Sequence, residues 1–323
     1  MLSLAIAVAL LTLLYSSVDG NELYAVLERA KISWIILSIL MFIPQTMAIG
    51  HRWTLIARPL ARISLKEAIR QVLASSCLNL VLPSKLGDLA KGVFLYRQKK
   101  CGWEEGLQIV VFEKLLDLAA LSFLMVLAAL IVWPQQIILQ LMVLLGLAVV
   151  CLVGTIYFTP YGAAVFSRIL PKKKKTGFVG KVLGLVEAGP KVMNLIHGKG
   201  ARSLTLVGWS LGIWSLHLLQ ILFFFIALNI PVSAFAVLLK MPMAIFVGLL
   251  PISLAGFGTR EWAIVLLFQS PEVSAASLIA VGVLFSSRYI FPALAGLLFV
   301  QRYYGLSQAA AKGSQKKRQA KKS

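Results

Sequence analysis

Charged side chains interrupt stretches of this sequence that are otherwise apolar. They are Lys85, Asp88 and Lys91; Glu113, Lys114 and Asp117; Lys240, Arg260 and Glu261; and Arg288. In hydrocarbon a bare charge at a helix centre costs roughly 2.5–3.5 kcal/mol. Glu113, Lys114, Asp117, Arg260, Glu261 and Arg288 would together cost on the order of 15–20 kcal/mol if all were central and bare. That exceeds the stability of a typical domain. They must therefore pair, sit near an interface or face water inside the protein. Glu113 and Asp117 are four residues apart, hence on one helix face, and a neighbouring Arg260 or Arg288 would answer them. Such a set can bind charged groups of a substrate, and Glu113 and Asp117 can also carry protons. Taken singly, each residue fits a structural ion pair that fixes helix register. Taken together they mark a pathway, because they cluster at two breaks in the apolar pattern and on the helices beside them.

The breaks are "LPSKLGD" at 82–88 and "LPISLAGFG" at 250–258. Pro83 and Pro251 remove backbone donors and block helix continuation. Gly87, Gly256 and Gly258 permit tight turns and close backbone approach. Non-helical backbone at membrane depth is tolerated only when buried in protein or lining a wet cavity. A helix restarting after each break would aim its free N–H groups at it, which favours anions, phosphate included. An ordinary loop at each place is the plainer alternative.

Other chemistries find no support. No P-loop, dinucleotide-binding glycine motif, HExxH or GxSxG occurs. The three cysteines, Cys77, Cys101 and Cys151, are scattered and contain no CxxC, so neither a disulfide framework nor a zinc site is indicated. The three histidines, His51, His197 and His217, form no ligand motif, and His217 in its apolar helix suits an interhelical hydrogen bond. The chain is expected to be a non-enzyme with no metal and no cofactor.

The elements that must position these residues are membrane helices. Hydrophobic residues are 59% of 323, too many for one soluble core. Net charge is +20, which could mark a nucleic-acid binder, but the basic residues lie between or after apolar runs. Arg52, Arg58, Arg62, Lys66 and Arg70 form one group; 160–203 holds nine Lys/Arg, including Lys172 to Lys175, against Glu187; 302–323 holds seven and no acid. This is the positive-inside pattern and excludes nucleic acid as the expected partner.

About 20 apolar residues are needed to span. The expected fold is all-α, a polytopic bundle of about six spans at 2–18, 32–50, 107–133, 137–159, 204–228 and 275–301. The run 2–18 is taken as a retained helix. Segments 19–31 and 229–233 fall outside; the basic segment 51–66, the loop 160–203, both termini and the tail 306–323 are cytoplasmic, in a bacterial-type inner membrane. Segments 67–97 and 234–269 fit no simple span and are expected to be re-entrant hairpins, the first from the cytoplasm and the second from outside. Residues 32–133 and 204–301 then form an inverted repeat inside one transmembrane domain, 1–305. Inverted repeats with interrupted helices at matching places are a transporter pattern. A surface helix pair at 67–97 and two ordinary spans at 234–269 would be the alternative, and Arg260 near an inner loop would suit it.

Several stretches resemble the lysylphosphatidylglycerol synthase transmembrane-region family, a flippase-like membrane domain. They are "RW" at 52–53, "LPSKLGDLAK" at 82–91, "FEKLLD" at 112–117, "LPISLAGFGTRE" at 250–261 and "SRYIFP" at 287–292. The resemblance covers most of 30–300, and its second break is the most specific part. It implies lipid handling, with Gly87, Asp88, Lys91, Glu113, Asp117, Gly256, Gly258, Arg260, Glu261 and Arg288 at the family's motif positions. Lys91 and Lys114 stand where arginine is expected, and lysine lacks the planar fork that grips phosphate. The soluble aminoacyl-transferase domain of full-length synthases is not in this sequence. The expected function is transport or binding of a phospholipid, aminoacylated lipid, hopanoid or glycolipid, with an anionic headgroup as partner. The alternative is a non-transporting membrane protein that scaffolds or regulates a lipid-synthesis enzyme.

Overall fold

A computed structural model describes residues 12, 13, 16, 18–81, 83–131, 137–158, 200–249, 256 and 258–301. Most of the expected helix 2–18 and of the loop 160–203, the tail 306–323, and Pro251 lie outside the described residues. Regular structure is helical. In chain order it runs α1 Gly20–Glu28, α2 Ile32–Leu40, α3 Phe42–Ala57, α4 Leu65–Val81, a 3-10 helix Pro83–Leu89, α5 Ala90–Arg97, α6 Trp103–Ile131, α7 Ile137–Phe158, α8 Gly200–Ala227, α9 Ala234–Leu249, α10 Thr259–Phe268 and α11 Ala275–Ser287. A last helix, α12, occupies 290–301, and no strand occurs among the described residues.

Proline sets two interruptions. Pro44 has no N–H for the Leu40 carbonyl, and α2 gives way to α3 at Met41. Pro292 likewise has none for the Arg288 carbonyl, and the helix turns at 288–289 between α11 and α12. Proline at 59 disfavours helix at Arg58, and α3 ends at Ala57. The expected helix 32–50 therefore runs seven residues further, and Arg52 lies inside it instead of in a basic loop.

Ile32–Ala57, Trp103–Ile131, Leu204–Ala227 and Ala275–Gln301 are long and apolar enough to cross a membrane. The expected span 137–159 is helical as α7, Ile137–Phe158. Large apolar side chains on the spans face outward; Leu130 and Leu298 are each 78% exposed. Charged Arg52, Glu113, Arg260 and Glu261 are buried. That inversion suits a lipid solvent, where apolar exposure carries no penalty and polar groups must be satisfied internally.

Two compact units divide the chain. One takes in Met1–Gln45, Leu115–Ile156 and Val207–Phe291; the other takes in Thr46–Lys114, Tyr157–Leu206 and Pro292–Ser323. In the first, Met241, Phe246, Ile264, Phe268, Leu278 and Phe285 belong to a large apolar core. A polar clamp ties α2 and the start of α3 to α8. Ser38 Oγ donates to the Gln220 carbonyl at 2.9 Å, Gln220 Nε2 donates to the Ser38 carbonyl at 2.8 Å, and Gln45 Nε2 donates to Gln220 Oε1 at 3.0 Å.

Each unit contains one of the interrupted segments. In the second unit α4 folds back on the 3-10 helix and α5. In the first, α9 packs on α10 and α10 on α11. With 17 and 8 residues, α4 and α5 extend about 25 Å and 12 Å. With 16 and 10 residues, α9 and α10 extend about 24 Å and 15 Å. All fall short of the roughly 30 Å hydrocarbon core. Gly87 makes the first turn possible, since an added Cβ would stand 2.5 Å from the Asn79 nitrogen. In the second, Gly256 and Gly258 take φ of 79° and 84°, open to glycine at little cost.

Candidate functional site

Glu113 is the centre of the cluster in the second unit. Its Oε1 accepts from Arg52 Nη2 at 3.2 Å, and its Oε2 accepts from Lys91 Nζ. All three side chains are at most 2% exposed. Lys91 Nζ also lies 4.9 Å from the centre of the Trp53 ring, whose Nε1 donates to Gln71 Oε1 at 2.8 Å. Burial strengthens every one of these contacts and makes the loss of any partner expensive. Gly92 on α5 permits the approach to α6 that places Lys91 beside Glu113, because a Cβ there would meet the Gly106 carbonyl. Asp88 forms a second, more open pair with Lys114 at 2.6 Å and accepts from Asn79 Nδ2 at 3.0 Å.

Arg260, Glu261 and Arg288 form the cluster in the first unit. Arg260 Nη2 pairs with Glu261 Oε1 and donates to Ser286 Oγ at 2.8 Å. Glu261 Oε2 accepts from the Gly258 N–H at 2.8 Å, the backward half of a capping box. Two further glycines make room: a Cβ on Gly282 would stand 2.5 Å from Glu261 Cγ, and one on Gly248 would stand 2.9 Å from Arg260 Cβ. Phe285 carries both guanidinium groups, with Arg260 Cζ 4.0 Å and Arg288 Cζ 4.6 Å from its ring centre. Arg288 also lies 5.3 Å from the Tyr289 ring and reaches His217 Nδ1 at 2.8 Å.

Arg288 is only 7% exposed, yet its ring and imidazole partners are neutral, the Arg260 guanidinium on the same ring is a like charge, and Arg288 Nη1 has no hydrogen-bond partner among the described residues. No described carboxylate forms an ion pair with it. The rest of the sequence offers one acid, Glu187. A guanidinium cannot shed its proton to escape burial. What the arrangement can do is receive an anion.

The geometry alters three expectations. The first break does not expose a helix N-terminus at Gly87, because Pro83–Leu89 is itself helical and leads into α5. At the second break the Gly258 N–H at the start of α10 is already answered by Glu261, whose carboxylate is thereby a cap. The partners of Glu113 are Arg52 and Lys91, not Arg260 or Arg288. Asp117 belongs to the other unit, where its carbonyl accepts from Trp214 Nε1 at 2.9 Å. Gln71, Ser286 and Phe285 were not singled out from sequence; Arg52 was read as part of a basic loop and of the "RW" motif, not as the partner of Glu113.

Residues 1–296 match the family described as lysylphosphatidylglycerol synthase TM region. The chain belongs to that family. No curated protein matches it. The match and the four span-length helices among the described residues make it a multi-pass membrane protein of the lysylphosphatidylglycerol synthase transmembrane-region family. Both clusters of this family member lie within the matched residues.

Proposed function

We propose that the protein is a lipid transporter that holds a phosphate-bearing headgroup at Arg288 while the acyl chains stay in the bilayer. Arg288 carries the reading: a buried cation beside neutral groups, with Nη1 still to be bonded. Burying a charge without its counter-charge is strongly destabilising, and a bound anionic oxygen relieves that cost. Arg260 sits on the same phenylalanine ring as Arg288 and adds a second positive charge. Family membership supports a role with lipid.

In this reading 1–305 is one transmembrane domain in an inner membrane, with about six spans and both termini cytoplasmic. Segments 67–97 and 234–269 are hairpins that enter from opposite sides, and 32–133 and 204–301 form the inverted repeat. The short lengths of α4, α5, α9 and α10 support hairpins over spans.

The test is headgroup translocation of a labelled phospholipid in vesicles reconstituted with the protein. Arg288→Gln is expected to slow the protein-dependent rate about ten-fold or more, given that a hydrogen-bonded charge is worth roughly 1.5–3 kcal/mol. Equal rates would remove Arg288 from the site. Retention of lipid with no protein-dependent translocation would favour the scaffold reading.

A further inference from the structure

We propose that the headgroup held at Arg288 has a net negative charge and that the protein discriminates against aminoacylated, cationic headgroups, including the lysyl lipid in the family's description. This rests on the lipid-binding reading above and goes beyond it by fixing the sign of the cargo.

A lysyl headgroup brings ammonium groups that outnumber its phosphodiester charge, so it needs anionic acceptors. The carboxylates of the two clusters, and of Asp88 beside them, are already engaged. Glu113 serves Arg52 and Lys91, Asp88 serves Lys114 and Asn79, and Glu261 serves Arg260 and the Gly258 N–H. Asp117 is not free either. Each buried cluster also carries more cation than carboxylate: Arg52 and Lys91 against Glu113, and Arg260 and Arg288 against Glu261. An ammonium entering either would meet positive charge in a poorly screened setting, where like-charge contact is costly. A phosphate without a cationic substituent meets the opposite field and the bonding capacity of Arg288 Nη1. The first-choice discriminator is therefore headgroup charge, not headgroup size.

The experiment is native mass spectrometry of the full chain in detergent, with equal phosphatidylglycerol, phosphatidylethanolamine and lysylphosphatidylglycerol of the same acyl chains. High salt screens the basic surface, which attracts anionic lipid unselectively. Phosphatidylglycerol is expected to occupy the protein about ten-fold more than lysylphosphatidylglycerol, a difference of about 1.4 kcal/mol, with phosphatidylethanolamine between. Arg288→Gln should compress the ratio, and Arg288→Lys, which keeps the charge, should keep the order. Equal or reversed occupancy in the wild type overturns the proposal, as does an unchanged ratio in Arg288→Gln. The expected order with no translocation in vesicles would leave charge selection standing and remove the transport reading. Absence of any bound lipid would remove both.

Discussion

Arg288 Nη2 lies 2.8 Å from His217 Nδ1. A guanidinium has no acceptor, so the imidazole must accept at Nδ1 and carry its proton on Nε2. The same ring stands edge-on to Trp214, with centres 5.4 Å apart, and Trp214 donates to the Asp117 carbonyl. A neutral His217 thus orients Arg288 and is itself held by α8 and α6. His217→Leu deletes the acceptor of a buried cation and is expected to cost about 1.5–3 kcal/mol. His217→Gln keeps an acceptor and should cost less. Thermal unfolding in detergent distinguishes them, and equal losses would make the contact incidental.

Glu113 answers two buried cations at once. Glu113→Gln leaves both facing a neutral amide, with an expected loss of about 3–5 kcal/mol. Combining it with Lys91→Met removes one of the two charges. The double variant should be more stable than Glu113→Gln alone, a non-additivity that only a direct interaction produces. Simple additivity in unfolding measurements would refute the pairing.

Glycines at the two breaks differ in kind from those on α8. Gly87→Ala forces α4 and the 3-10 helix apart, and Gly256→Ala combines a positive φ with a Cβ driven against the Gly248 carbonyl. Gly208 and Gly212 have open space at the Cβ position. Alanine there should be neutral, or stabilising by up to about 1 kcal/mol through helix propensity. Folded yield and melting temperature should fall for the first pair and hold for the second.

Cys101 lies between α5 and α6, outside the spans. Burial, and next the nearby Glu105 carboxylate, push its thiol up to about 11. Only the thiolate reacts, so a raised value means slower alkylation at a given pH. From an ordinary 9.0 the shift lowers the thiolate fraction near pH 8 about a hundred-fold. In a Cys77→Ala, Cys151→Ala background, maleimide labelling should be slow at pH 8, rise through pH 11 and speed up in Glu105→Gln. Because the folded state holds this proton more tightly, its contribution to stability is present below pH 9 and fades as pH rises towards 11.

The hairpin topology has its own check. Single cysteines at Ser84 and Ile252, in a background free of native cysteines, should label poorly from outside and from the cytoplasm respectively. Ready cytoplasmic labelling at 252 would replace the second hairpin with two spans and an inner loop.

Much of the architecture was legible because it follows from one-dimensional quantities. Membrane residence comes from hydropathy, the helical class from the need to satisfy backbone groups in lipid, and the places of the breaks from Pro83, Gly87, Gly256 and Gly258. Buried charge was legible too: apolar sequence on both sides of Glu113, Arg260 and Arg288 admits few other places for them. Partner choice was not. Glu113 and Arg52 are 61 residues apart, and Arg260 and Ser286 are 26 apart. Nothing periodic links such pairs, so only the folded chain could match them. The Glu261 cap on the Gly258 N–H is local, three residues apart, and needs only the start of α10 to form. The tertiary structure also placed Arg288 against neutral rings, with the like-charged Arg260 on one of them. Sequence determined that this cation would be buried; packing decided that no described carboxylate would pair with it, because its partners come from α8 and α11 and are neutral.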